Sequence, residues 1–198
     1  MIILFGMAGS GKGTQGKALS EIFGWKWISV GEVIRESGKY EEITNRGGLI
    51  PDEEVTEMMG EKIEKLKADG FEVILDGYPR DLWQAEWLVK NGVAEDIKGA
   101  IILDVPKEEL FKRLELRGRK DDLDLDSIER RFEVFEQNIC SMQKVLEKAG
   151  VKFEKVDGTG NIEEVTKKLV QIVEKLDSAA VEQTDDVNGD EIEKSYGE

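Results

Sequence analysis

Short, unbroken apolar runs alternate along this chain with longer stretches of helical period. Ile2-Ile3-Leu4-Phe5 is apolar at every position and ends at glycine, the pattern of a strand covered on both faces. Val73-Ile74-Leu75 before Asp76-Gly77, and Ile101-Ile102-Leu103 before Asp104, repeat it. Trp27-Ile28-Ser29 and the segment Val151 to Val156 are weaker strand candidates. Between them the spacing predicts helices over Lys12 to Phe23, Asp52 to Ala68, Leu82 to Lys90, Lys107 to Leu116, Asp126 to Ala149 and Asn161 to Leu176. Strands alternating with helices indicate βαβ units, hence an α/β fold of three layers, α/β/α, around a parallel sheet of about five strands. In such a fold ligands bind beyond the carboxyl ends of the strands. The segments leaving the first and third apolar runs are therefore where chemistry is expected.

Composition narrows the function classes. The 198 residues carry a formal net charge of -15, which speaks against a nucleic-acid partner or an anionic membrane surface. Part of that excess lies in Ser178 to Glu198, which reads as a flexible acidic tail following a domain of residues 1–177. Arginines, by contrast, concentrate between Leu110 and Phe132. A single cysteine, Cys140, and no histidine leave no disulfide framework and no structural zinc cage. Cys140 falls in a helical stretch and is expected in the core; Trp25, Trp27, Trp83 and Trp87 are expected to serve packing. No run approaches the ~18 apolar residues of a membrane span, and the opening segment lacks a basic flank. The expectation is a soluble, cytoplasmic, monomeric protein.

The strongest chemical signal is Gly6-Met7-Ala8-Gly9-Ser10-Gly11-Lys12-Gly13-Thr14, a glycine loop between a strand and a helix with the spacing G-x-x-x-x-G-K. Backbone N–H groups of such a loop turn inward as an anion nest, and the lysine reaches the terminal phosphates. This predicts a P-loop triphosphate site built on Gly9, Ser10, Gly11, Lys12, Gly13 and Thr14. The hydroxyl arrives one place late, at Thr14, because Gly13 follows the lysine. Downstream, Asp76-Gly77-Tyr78-Pro79-Arg80 ends the third apolar run, and Gln84 follows Arg80 by one helical turn. An acidic group at Asp76 can organise Mg²⁺ through its waters, and the Arg80 fork matches phosphate oxygens.

These motifs, in this order from Met1 to about Leu176, resemble those of the adenylate kinase family in a short-lid form. The lysine-glycine-threonine ending of the loop is similar to that family's, as are Ile28 to Arg35, Gly47-Gly48-Leu49-Ile50-Pro51-Asp52 and Asp76 to Arg80. The resemblance implies reversible phosphoryl transfer from Mg·ATP to AMP, with Mg²⁺ the only metal. It assigns Lys12, Arg80, Arg117, Arg119 and Arg131 to catalysis, and adds Arg113, Arg117 and Gly160 to the ATP site. It places AMP against Val30, Arg35, Gly48, Leu49, Ile50, Gly77, Arg80, Gln84, Arg119 and Arg131, with Arg130 as the fallback for Arg131. Gln84 would read the adenine edge. Val30 and Glu32 stand where the family usually has threonine and aspartate, so any contact at Val30 must be apolar or through backbone. The implied acceptor-binding insert spans about residues 30–50. The lid shrinks to a stub at about 116–123, where Gly118 alone separates Arg117 from Arg119. Two alternatives stay open: a kinase for another (d)NMP such as CMP or UMP, and a non-catalytic nucleotide-binding module.

Overall fold

The computed structural model describes residues 1–40, 50–118, 122 and 124–193, with side chains through residue 179. Five strands form one parallel sheet in the order β2-β3-β1-β4-β5. They are β1 (Ile2–Phe5), β2 (Lys26–Ser29), β3 (Val73–Asp76), β4 (Gly99–Asp104) and β5 (Phe153–Asp157). The helices are α1 (Lys12–Phe23), α2 (Val30–Ser37), α3 (Asp52–Ala68), α4 (Leu82–Lys90), α5 (Lys107–Arg117), α6 (Leu125–Lys148) and α7 (Ile162–Glu193).

The all-apolar strands are explained by a sheet covered on both sides. Side chains alternate across a strand, so Ile3 and Phe5 join Val73 and Leu75 on one face, beneath Met59 and Ile63 of α3, Leu88 of α4 and Leu146 of α6. Ile2 and Leu4 join Ile74, Ile101 and Leu103 on the other, beneath Leu19 of α1 and Val165, Leu169 and Val173 of α7. Register places Leu4 opposite Asp76 of β3 and Ile101 of β4. The loops leaving β1 and β3 therefore open side by side at the carboxyl edge of the sheet.

Four departures from the sequence reading have local causes. Helix α2 begins directly at the end of β2 with no turn residue between them, and its N-cap Ser29 makes no side-chain cap, so no stop-and-start signal marked it. Helix α7 continues past Leu176 to Glu193, into the segment expected as a tail; no proline interrupts residues 178–193. Cys140 is exposed, because α6 turns Ile128, Phe132, Met142 and Leu146 inward and leaves residue 140 on its outer face. Trp83 is also largely exposed, whereas Trp25 and Trp87 pack against the two cores.

Trp27 has a more specific place. A Cβ at Gly16 of α1 would stand 2.3 Å from Trp27 Cδ1 and 2.4 Å from its Nε1. The indole thus lies on a helix face from which the side chain has been removed. Overpacking of this kind costs about 1–3 kcal/mol. Gly16→Ala is accordingly expected to lower stability by that amount despite the better helix propensity of alanine, as read from urea unfolding midpoints. Pairing it with Trp27→Leu should recover most of the loss.

Candidate active site

A cleft of about 1470 Å³ opens at the carboxyl edge of the sheet, between the β1–α1 loop, α2, the β3–α4 turn, α5, α6 and the β5–α7 turn. Its floor is the glycine loop. Gly9 and Gly11 hold φ of +84° and +97°, which side chains rarely adopt. Lys12, the first residue of α1, folds back over the loop, and its Nζ donates to the carbonyls of Gly6 (2.7 Å) and Met7 (2.9 Å). Burial lowers the Lys12 ammonium to about 8; Asp76 opposes that shift, and Arg80, Arg117 and Arg131 add to it. Asp76, at the end of β3, has its carboxyl raised by burial, with Lys12 and Arg80 pulling the other way.

The lowered Lys12 has a measurable consequence. A phosphate pairing with Lys12, as the glycine loop predicts, requires the charged form, so such binding above pH 8 would take up a proton. ATP affinity is expected to be flat from pH 6.5 to 7.5. It should then weaken above pH 8, approaching about tenfold per pH unit. Calorimetric titrations in buffers of different ionisation enthalpy would register the proton uptake directly.

Cations dominate the lining. Among the described residues Lys12, Lys17, Arg35, Arg80, Arg113, Arg117, Arg130 and Arg131 face three carboxylates, Glu32, Asp76 and Glu163. The arginines come from four parts of the chain: α2, the β3–α4 turn, α5 and α6. Arg80 Nε donates to the carbonyl of Gly77 (3.1 Å) within the β3–α4 turn. Arg113 of α5 donates to the carbonyls of Gly158 (3.0 Å) and Thr159 (3.4 Å), tying α5 to the turn after β5. That turn is shaped by Asp157, whose Oδ1 accepts from the N–H (2.9 Å) and hydroxyl (2.6 Å) of Thr159. It passes into α7 through reciprocal capping between Asn161 and Glu164.

Arg117 and Arg131 meet on one carboxylate. Asp122 accepts from Arg117 Nε (2.6 Å) and Nη2 (2.7 Å) and from Arg131 Nη2 (3.0 Å). Its side chain is fully shielded from solvent. Burial alone would raise this carboxyl, but the hydrogen bonds from Arg117 and Arg131 take it below its ordinary value. Asp122 thereby joins the end of α5 to the first turns of α6 across the predicted lid stub. It falls within the lid stub expected at about 116–123, where the sequence gives it no role of its own. The signal available there was an acidic residue between two arginine-bearing helices.

Of the residues expected at the site, Gly9 to Thr14, Arg35, Asp76, Gly77, Arg80, Arg113, Arg117, Arg131 and Gly160 line this one cleft, as does Arg130. Val30 does not: it is buried at the start of α2, with Cγ1 3.6 Å from where a Gly77 Cβ would stand. Ile50 packs at the edge of the first core. Gln84 is buried and outside the lining, its side chain already bonded to Arg80 N and Asp52. Gly48, Leu49 and Arg119 lie outside the described residues. Ser127, which sequence reading passed over, lines the cleft with a buried hydroxyl that has no protein partner, as does Ser10.

The donor set suits a magnesium ion delivered with a nucleotide. One buried carboxylate, Asp76, has Oδ2 3.5 Å from the position a Gly13 side chain would take, close to the start of α1. Among the described residues no group of three or more acidic, cysteine or histidine side chains could form a protein cage. Mg²⁺ commonly keeps several waters and takes its remaining ligands from one or two carboxylates and substrate phosphates.

A P-loop beneath a ring of arginines from several elements defines a phosphotransferase that handles two phosphorylated ligands in one cleft, a nucleoside monophosphate kinase. Comparison with known proteins agrees. The family model described as adenylate kinase matches residues 4–151. Over 178 residues the chain is 33% identical to an adenylate kinase of Thermus thermophilus, covering 83% of this chain and 91% of that one. It is 34% identical over 191 residues to one from Porphyromonas gingivalis, covering 88% and 96%. With one from Micrococcus luteus it shares 34% over 194 residues, covering 90% and 92%. The chain belongs to the adenylate kinase family. Among its described residues no helix is long and apolar enough to cross a membrane.

Proposed function

We propose that the protein catalyses reversible transfer of the γ-phosphoryl group of Mg·ATP to AMP, giving two ADP. The observation that carries this reading is the convergence of Lys12, Arg80, Arg117 and Arg131 on one cleft above a P-loop. Transfer between two phosphate groups crowds negative charge, and catalysis consists largely of positioning and neutralising it. The β- and γ-phosphates would lie on the loop, with Lys12 leaving the Gly6 and Met7 carbonyls to meet them. Arg113 and Arg117 would face the donor; Arg35, Arg80 and Arg131 would face the acceptor phosphate. Asp76 would hold Mg²⁺ through water, and the ion would supply charge neutralisation at the phosphates. The acceptor phosphate is already an anion at pH 7, so no general base is needed. Gln84 favours adenine as the acceptor base.

The test is ADP formation from Mg·ATP with each of AMP, dAMP, CMP, UMP and GMP. Rapid turnover preferring AMP is the expected result. Preference for another acceptor would keep the chemistry and overturn the role given to Gln84. Tight ATP binding without turnover on any acceptor would overturn the reaction itself.

A further inference from the structure

Gln84 is held at three atoms from two parts of the chain, the Arg80-Asp81 turn and the start of α3. Its backbone N–H donates to Asp81 Oδ1 (2.9 Å), the N-cap of α4. Its Oε1 accepts from the backbone N–H of Arg80 (2.8 Å). Its Nε2 donates to Oδ1 of Asp52 (2.9 Å), which opens α3 just past the expected acceptor-binding insert. Gln84 is only 1% exposed, whereas Asp52 stands at the surface, so the bond between them joins a buried amide to an exposed carboxylate.

The two side-chain bonds dictate which way round the amide sits. A backbone N–H can only donate and an ionised carboxylate can only accept. Turning the amide over would set Nε2 against the Arg80 N–H and Oε1 against the Asp52 carboxylate. Both contacts would then be repulsive, leaving the buried amide without its partners. The amide retains one free lone pair on Oε1 and one free N–H on Nε2, in a fixed left-to-right order. That order matters for a purine edge. A 6-amino purine offers N–H at C6 beside an acceptor ring nitrogen, and matches an acceptor followed by a donor. A 6-oxo purine offers a carbonyl beside an N–H and matches the reverse.

We propose that Asp52 is a specificity-determining positioning residue: by accepting from Nε2 it locks the Gln84 amide in the orientation that selects a 6-amino over a 6-oxo purine monophosphate. This rests on the reading of Gln84 as the acceptor-base reader. Asp52 touches no substrate; it acts through Gln84, from 32 positions away in the chain.

The test compares Asp52→Ala and Asp52→Asn with the wild type, using AMP and IMP as acceptors at saturating Mg·ATP. Asp52→Ala removes one of the two constraints. The AMP KM should rise about tenfold, the worth of one such hydrogen bond, with kcat moving less, and the AMP-to-IMP preference should fall. Asp52→Asn can still accept from Nε2, so the AMP KM should return to near the wild-type value. Asparagine can also turn over and donate to a flipped Gln84, however, so the AMP-to-IMP preference should stay reduced. A merely structural role would not separate these two quantities. Wild-type preference in both variants would overturn the proposal.

The side-chain amide resonances of Gln84 give an answer that does not depend on turnover. Slow solvent exchange of the Nε2 protons should be present in the wild type and Asp52→Asn and lost in Asp52→Ala. Equal exchange in all three would sink the lock whatever the acceptor proves to be. Intact protection together with no turnover of AMP by the wild type would count against the kinase reading and leave the lock standing.

Discussion

Lys12→Ala is expected to lower kcat/KM for ATP by on the order of 10²- to 10³-fold, the range found when a preorganised donor to a developing charge is removed. The ammonium is the only cation on the loop itself, since the remainder of Gly6 to Thr14 offers backbone N–H groups and hydroxyls. In the cleft Nζ is bonded to the Gly6 and Met7 carbonyls. Removing it leaves both carbonyls unpaired, yet they line an open cleft where water can replace it. The fold should therefore survive, with a melting temperature close to that of the wild type. The loss should appear in kcat as well as in ATP affinity, because the charge being neutralised grows in the transition state. Lys12→Arg should not rescue it, since a planar fork cannot occupy the compact site of an ammonium between two carbonyls. Steady-state rates with a melting curve decide the matter: near-normal activity in a folded Lys12→Ala would remove the P-loop from the mechanism.

The second large effect is expected at Arg80. Arg80→Ala should reduce kcat/KM for AMP by on the order of 10²- to 10³-fold, the range for removing one preorganised donor to developing charge. Arg80 Nε is anchored on the Gly77 carbonyl, which leaves the two terminal nitrogens of the fork for phosphate oxygens. Arg80→Lys keeps the charge but not the paired geometry, and should restore only part of the loss. The split between substrates is informative. The ATP dissociation constant, measured without acceptor, should change little, because in the proposed arrangement the donor phosphates rest on the loop and on Lys12. An unchanged AMP KM and rate in Arg80→Ala would show that the acceptor phosphate lies elsewhere. The backbone N–H of Arg80, which orients Gln84, is untouched by either substitution.

The strands were legible because burial on both faces leaves no room for polar residues, so Ile2 to Phe5 and Val73 to Leu75 announce themselves. The glycine loop was legible because its geometry needs particular residues at particular spacing. Contacts made across long separations were not. Nothing in Asp52 marks it as the partner of Gln84, and an exposed glutamine and a buried one look alike in a helical pattern. Asp122 was passed over for the same reason: its meaning comes from Arg117 and Arg131 lying on two helices that fold against each other. Cys140 illustrates the reverse error. An apolar side chain in a long amphipathic helix was expected inside, yet the inward face of α6 was already taken by residues 128, 132, 142 and 146.

The placement of charge also bears on how fast a nucleotide arrives. A polyanion approaching from a distance meets the field of the whole chain, whose net charge is -15, and is repelled. Only within about 10 Å, the screening length at 0.1 M salt, do the nearby cations of the cleft outweigh that field. Moderate salt dampens the outer repulsion while leaving the short-range attraction largely in place. Association rates for ATP should therefore climb as ionic strength is raised from very low values, pass through a maximum, and fall once the screening length shrinks to the dimensions of the cleft. A surface that is repulsive far away and attractive close in selects ligands small enough to enter, and turns aside larger polyanions that cannot.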